Sequence, residues 1–119
     1  MKTGNLIVEK TFDFALNIIE FYIQLKENDE FVLSKQLLRS GTSIGANVEE
    51  AIAAQSKKDF INKMSIAAKE ARETKYWLRL LDKSNLTQLD CKTHLEGIEH
   101  ILNILSKIIL TSKNSLDKN

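Results

Sequence analysis

The sequence predicts an all-α chain folded as an antiparallel up-down-up-down four-helix bundle. Three observations lead there. The 119 residues include no proline and only four glycines, so little interrupts long helices. Apolar residues recur every three or four positions through four successive segments. The breaks between segments are short and polar, which forces antiparallel neighbours. The length fits one domain, residues 1–119. Such a chain can bury roughly 65% of its unfolded surface in one core.

The first helix is expected at about residues 5–26. Its polar positions, Glu9, Lys10, Asp13, Asn17, Glu20, Gln24 and Glu27, fall in one narrow arc. One apolar stripe holds Ile7, Phe14, Ile18, Phe21 and Leu25, and a second holds Val8, Phe12, Ala15, Ile19 and Tyr22. With Leu16 and Ile23 they cover roughly 220°, where a surface helix needs little more than about 100°. Two helical neighbours in the bundle would by themselves call for a wide apolar face. The alternative, and the expectation here, is an interface between copies of the chain, formed by Ile7, Phe14, Ile18, Phe21 and Leu25 with Ile66, Trp77 and Leu80, because monomers seldom expose patches of this size.

The second helix is expected at about residues 31–54, with Ser34 a rival start. Gly41 and Gly45 form G-x-x-x-G on the face that also carries Leu37, Ile44, Val48 and Ile52. Two interior glycines cost a helix roughly 1 kcal/mol each relative to alanine, so close packing against a neighbour is their expected purpose. Arg39, Asn47, Glu49 and Glu50 exclude a membrane helix, and no Gly-Lys-Ser/Thr makes a phosphate loop.

The third helix, about residues 57–82, opens on a capping box, Ser56 and Asp59, and carries a core stripe of Phe60, Met64, Ala67, Ala71, Thr74, Leu78 and Leu81. Residues 57–83 hold eight Lys and Arg against four Asp and Glu, in a chain whose net charge is only +1. Lys69, Arg72, Lys75, Arg79 and Lys83 share one arc, with Tyr76 beside them. A phosphate backbone and a stacked base would suit that stripe, and an ordinary solvated face would look the same in sequence.

The fourth helix, about residues 88–112, is expected to start from Thr87 and Asp90 and to bury Cys91, Leu95, Ile98, Leu102, Leu105 and Ile109. Ile101, Ile104 and Ile108 lie off that stripe, and residues 113–119 read as a frayed polar tail.

Catalysis and cofactors have no visible apparatus. A carboxylate-bridged metal pair in a bundle needs Glu-x-x-His on two helices. Glu70-x-x-Glu73 ends in Glu, and in Glu96-x-x-Glu99-His100 the histidine comes one position too late. His94 and His100 have no nucleophile elbow to serve. The lone Cys91 excludes an internal disulfide and suits a reducing cytosol. With no signal peptide and no long apolar run, the chain is expected to be cytoplasmic and away from membranes. Its expected partners are copies of itself, RNA or DNA, or another protein.

The run from Leu37 through Arg39-Ser40-Gly41-Thr42-Ser43-Ile44-Gly45-Ala46-Asn47 to Ala51 resembles the second-helix signature of the 23S rRNA intervening-sequence proteins, also labelled S23 ribosomal proteins. So do Ser56-Lys57-Lys58-Asp59-Phe60, Ile66-Ala67 and the segment from Lys69 to Leu81. The resemblance spans nearly the whole chain. It implies a left-turning antiparallel bundle and, as in members of that family, a ring-shaped homopentamer; it brings no established activity. A related accessory protein of diversity-generating retroelements is similar, forming a basic pentamer that binds nucleic acid and a reverse transcriptase. This chain is closer to neutral.

Overall fold

Among the described residues, four helices occupy almost all of the length: α1 (Lys2–Glu27), α2 (Leu33–Ile52), α3 (Lys57–Lys83) and α4 (Lys92–Asp117). The structure, a computed structural model, describes the backbone of residues 2–117 and the side chains of residues 6–117. Each helix packs on its two sequence neighbours, and α1 closes the ring against α4, giving an antiparallel bundle about 52 Å long and 22 Å across.

Local chemistry sets the helix ends. α1 stops in a Schellman arrangement: Asp29 takes a left-handed φ of 65°, its N–H bonds the Lys26 carbonyl at 3.0 Å, and the Glu30 N–H bonds the Leu25 carbonyl at 2.9 Å. Glu30 then starts α2. Its carboxylate accepts from the backbone N–H of Val32 (3.1 Å), Leu33 (3.2 Å) and Ser34 (2.6 Å), which are the orphan donors of the first turn. Ser34 is therefore not the cap; its hydroxyl donates to the Glu30 carbonyl at 2.9 Å. Ser56 caps α3, accepting from the Asp59 N–H at 3.0 Å. The fourth helix starts later than residue 88. Thr87 Oγ1 accepts from the Leu89 N–H at 3.1 Å in a local turn, and the Asp90 carboxylate takes the Lys92 N–H at 2.9 Å. The residues from 113 onward are not a frayed tail as far as Asp117: no glycine or proline stops α4, and Ser115 meets Lys57 Nζ at 2.5 Å. Residues 118 and 119 lie outside the described residues.

The core holds Ile7, Phe14, Ile18, Phe21 and Leu25 of α1 against Leu37, Ile44 and Val48 of α2, Met64, Ala71 and Leu78 of α3, and Ile98 and Leu105 of α4. This corrects the first helix. Its expected interface stripe is the chain's own core, 0–5% exposed, and cannot meet a second copy. Likewise Ile101 and Ile108 of α4 are buried, because α4 turns its stripe toward α1 as well as α3. α1 packs closely against α2 at Gly41 and Gly45. A Cβ on Gly41 would stand 2.9 Å from Ile18 Cγ2, and one on Gly45 3.3 Å from Thr11 Oγ1. The buried hydroxyls are satisfied: Thr11 donates to the Ile7 carbonyl at 2.7 Å, and Thr74 Oγ1 lies 2.8 Å from the Glu70 carbonyl oxygen and 2.9 Å from Ser40 Oγ.

Candidate nucleic-acid interface and apolar face

With one stripe of α1 spent on the core, the other faces outward. Phe12 is 58% exposed and Ile23 50%, with Leu16 and Ile19 between them and Leu6 exposed nearby. Single exposed apolar residues are normal on any protein. Here four recur at helical spacing on one side of one helix, with Val8 and Tyr22 half-buried beside them. Glu9, Asp13, Glu20 and Glu27 are also exposed along α1.

On α3 the basic arc does reach the surface, but its members differ. Lys69, Arg72 and Arg79 are exposed, and among the described residues none has a carboxylate within ion-pair distance. Lys75 is tied across to α4 by Glu99 at 2.6 Å, and Lys83 sits 3.7 Å from its neighbour Asp82. Tyr76, 52% exposed, leans edge-on against Trp77 with ring centroids 5.4 Å apart. The structure thus leaves Lys69, Arg72, Arg79 and Tyr76 open and engages Lys75 and Lys83.

The remaining expected interface residues, Ile66, Trp77 and Leu80, are half-buried at the α2 side of that face. Trp77 Nε1 donates to the Glu73 carboxylate at 3.2 Å. Arg39 of α2 bonds that same carboxylate and reaches Glu70 at 3.3 Å. This role for Arg39 is created by the fold and has no signal in the sequence alone. The Glu70-x-x-Glu73 spacing is a cradle for a guanidinium, and such charge-assisted pairs fix orientation across a helix seam.

Burial shifts the titration of two side chains, Cys91 and His94. Burial, reinforced by Asp82 and Asp90, pushes the Cys91 thiol up to about 11, so it stays protonated at neutral pH. Burial lowers the His94 pKa against a weaker opposing pull from Asp90, and the ring stacks on Phe21 at 4.4 Å. Among the described residues no group of three His, Cys, Asp or Glu could hold a metal ion. A surface pocket of about 660 Å³ at the α2–α3 turn is lined by Phe60, Lys57, Thr111 and Ser115 among others, with no acid–base pair in it. Among the described residues no helix is long and apolar enough to cross a membrane.

The chain matches the family model described as 23S rRNA-intervening sequence protein over residues 4–109. It is similar in structure to a protein of unknown function from the S23 ribosomal protein family of Bacteroides thetaiotaomicron, with a TM-score of 0.82 and 45% sequence identity over 90% of this chain and 97% of that one. No curated protein matches it.

Proposed function

The chain belongs to the 23S rRNA-intervening sequence protein family, and from that premise we propose that it is a non-enzymatic, cytoplasmic homo-oligomer that binds RNA through the outer face of α3. The observation that carries assembly is the outward row Phe12, Leu16, Ile19 and Ile23 on a helix whose inner stripe already fills the core. Burying apolar area contributes about 25 cal/mol per Å², so four such side chains repeated at every contact favour association. Five copies, the number the family resemblance implies, would set five basic faces in one ring. Repetition matters because, of the five cations in the basic arc, Lys75 and Lys83 are engaged by carboxylates and Lys69, Arg72 and Arg79 remain. Tyr76 supplies a ring on which an unpaired base can stack, a contact worth about 1–3 kcal/mol.

RNA retention measured across a salt series tests the binding. The expected result is affinity that falls steeply with salt and is lost when Lys69, Arg72 and Arg79 are changed to Glu. Retention that is absent at low salt, or indifferent to the triple substitution, contradicts it. That outcome would favour a scaffold subunit recruiting a protein partner, a reading to which the Lys75–Glu99 pair and the near-neutral net charge lend support.

A further inference from the structure

The seam between α3 and α4 is electrically divided along its length. Toward the C-terminal end of α3 it is lined by Asp82, Asp90, Glu96 and Glu99, with Lys75 and Lys92 among them. Toward the N-terminal half of α3 a second groove, about 340 Å³, is lined by Ser65, Arg72, Ser106, Ile109, Leu110 and Lys113, and no carboxylate is among its lining residues. The two ends therefore present opposite charge to a polyanion, and salt screening keeps each end's effect local.

The geometry points to this second groove as a seat for the sugar–phosphate backbone of single-stranded RNA, so that the bound strand crosses from α3 onto α4 instead of running along α3. The inference rests on the RNA-binding reading above and adds α4 to it. Arg72 from α3 and Lys113 from α4 are the charged groups of the two walls. A guanidinium forks onto two phosphate oxygens, and an ammonium adds a point charge. Ser65 and Ser106 supply one hydroxyl donor from each helix. Leu110, 62% exposed, and Ile109 form an aliphatic surface against which a ribose or base can lie. At the other end a strand would meet four carboxylates, and Lys75 is already engaged by Glu99 at 2.6 Å. A track following the whole basic arc of α3 would pass that acidic end; one leaving at Arg72 does not.

Fluorescence anisotropy of a labelled oligo-uridine, titrated with the full chain at several salt concentrations, tests the assignment. Each cation that contacts a phosphate contributes about 0.7 to the salt slope for a single strand. Lys113→Gln and Arg72→Gln are each expected to lower the slope by about 0.7, and the pair by about 1.4. Lys107→Gln, exposed on the same helix and outside the groove, is expected to leave it unchanged. Leu110→Glu, which sets a carboxylate on the groove floor, should weaken binding at least tenfold at low salt. Circular dichroism and light scattering on each variant keep folding and assembly in view. If Arg72→Gln lowers the slope and Lys113→Gln does not, RNA binding stands and the α4 seat is wrong. If the unmodified chain binds no oligo-uridine at low salt, both are wrong.

Discussion

At Gly41 a single methyl group separates two opposing effects. Alanine favours a helix interior over glycine by roughly 1 kcal/mol. The added Cβ would stand 2.9 Å from Cγ2 of Ile18, a branch carried directly on a β-carbon that has little rotameric freedom in a helix. Overpacking of this kind costs about 1–3 kcal/mol, so Gly41→Ala is expected to destabilise the chain in urea unfolding. Gly97 is the control: its Cβ would meet Phe14 at an ordinary 3.4 Å, and Gly97→Ala is expected to stabilise by up to about 1 kcal/mol. His94 gives a pH dependence of defined sign. Its folded pKa lies below the unfolded value near 6.5, so the unfolded chain takes up the proton first as pH falls. The stability it permits is complete above about pH 6.5 and declines as pH drops below that value. The melting temperature is expected to fall between pH 7.5 and 5.5, and His94→Phe should flatten that fall. A melting temperature that rises on acidification would contradict the assignment.

The helices themselves were legible as elements, since amphipathic period and the absence of proline suffice to place them. Their ends were legible only where a side chain two or three residues away does the capping, as Ser56 does for α3. Glu30 escaped because Glu is a poor statistical cap: its longer side chain folds back over three backbone N–H groups only when the Asp29 turn and the core bury it. Removing it with Glu30→Ala is expected to cost about 1–2 kcal/mol. Asp29→Gly acts oppositely. Relief of roughly 1–2 kcal/mol of left-handed strain, set against about 0.5–1 kcal/mol of added unfolded-chain entropy, leaves a small net gain in chemical denaturation. The two apolar stripes of α1 were both visible in the sequence, but periodicity has no origin of phase. Which stripe faces inward is decided by the neighbours, and Gly41 and Gly45 draw the Thr11 and Ile18 side of α1 against α2. The same blindness hid the basic face's limits. Lys75 pairs with Glu99 across 24 residues of sequence, a contact only the fold creates.

Across the whole molecule, the buried side-chain polar atoms of the described residues all have partners, and burial raises the Cys91 pKa to about 11 and lowers that of half-buried His94. What remains are surfaces: an apolar row on α1, and cations on α3 that α4 extends at Lys113 and opposes at Glu99. Both would gain from repetition, since the proposed closed ring would bury the first and multiply the second. Association is thus the claim on which the rest depends. Multi-angle light scattering at micromolar concentration measures it directly, on the chain and on the double variant Phe12→Glu, Ile19→Glu. The expected result is one assembly with the mass of five 13.6 kDa chains, reduced to a single chain of unchanged helicity by the two substitutions. A monodisperse monomer for the unmodified chain, or an assembly that the double variant leaves intact, would contradict it.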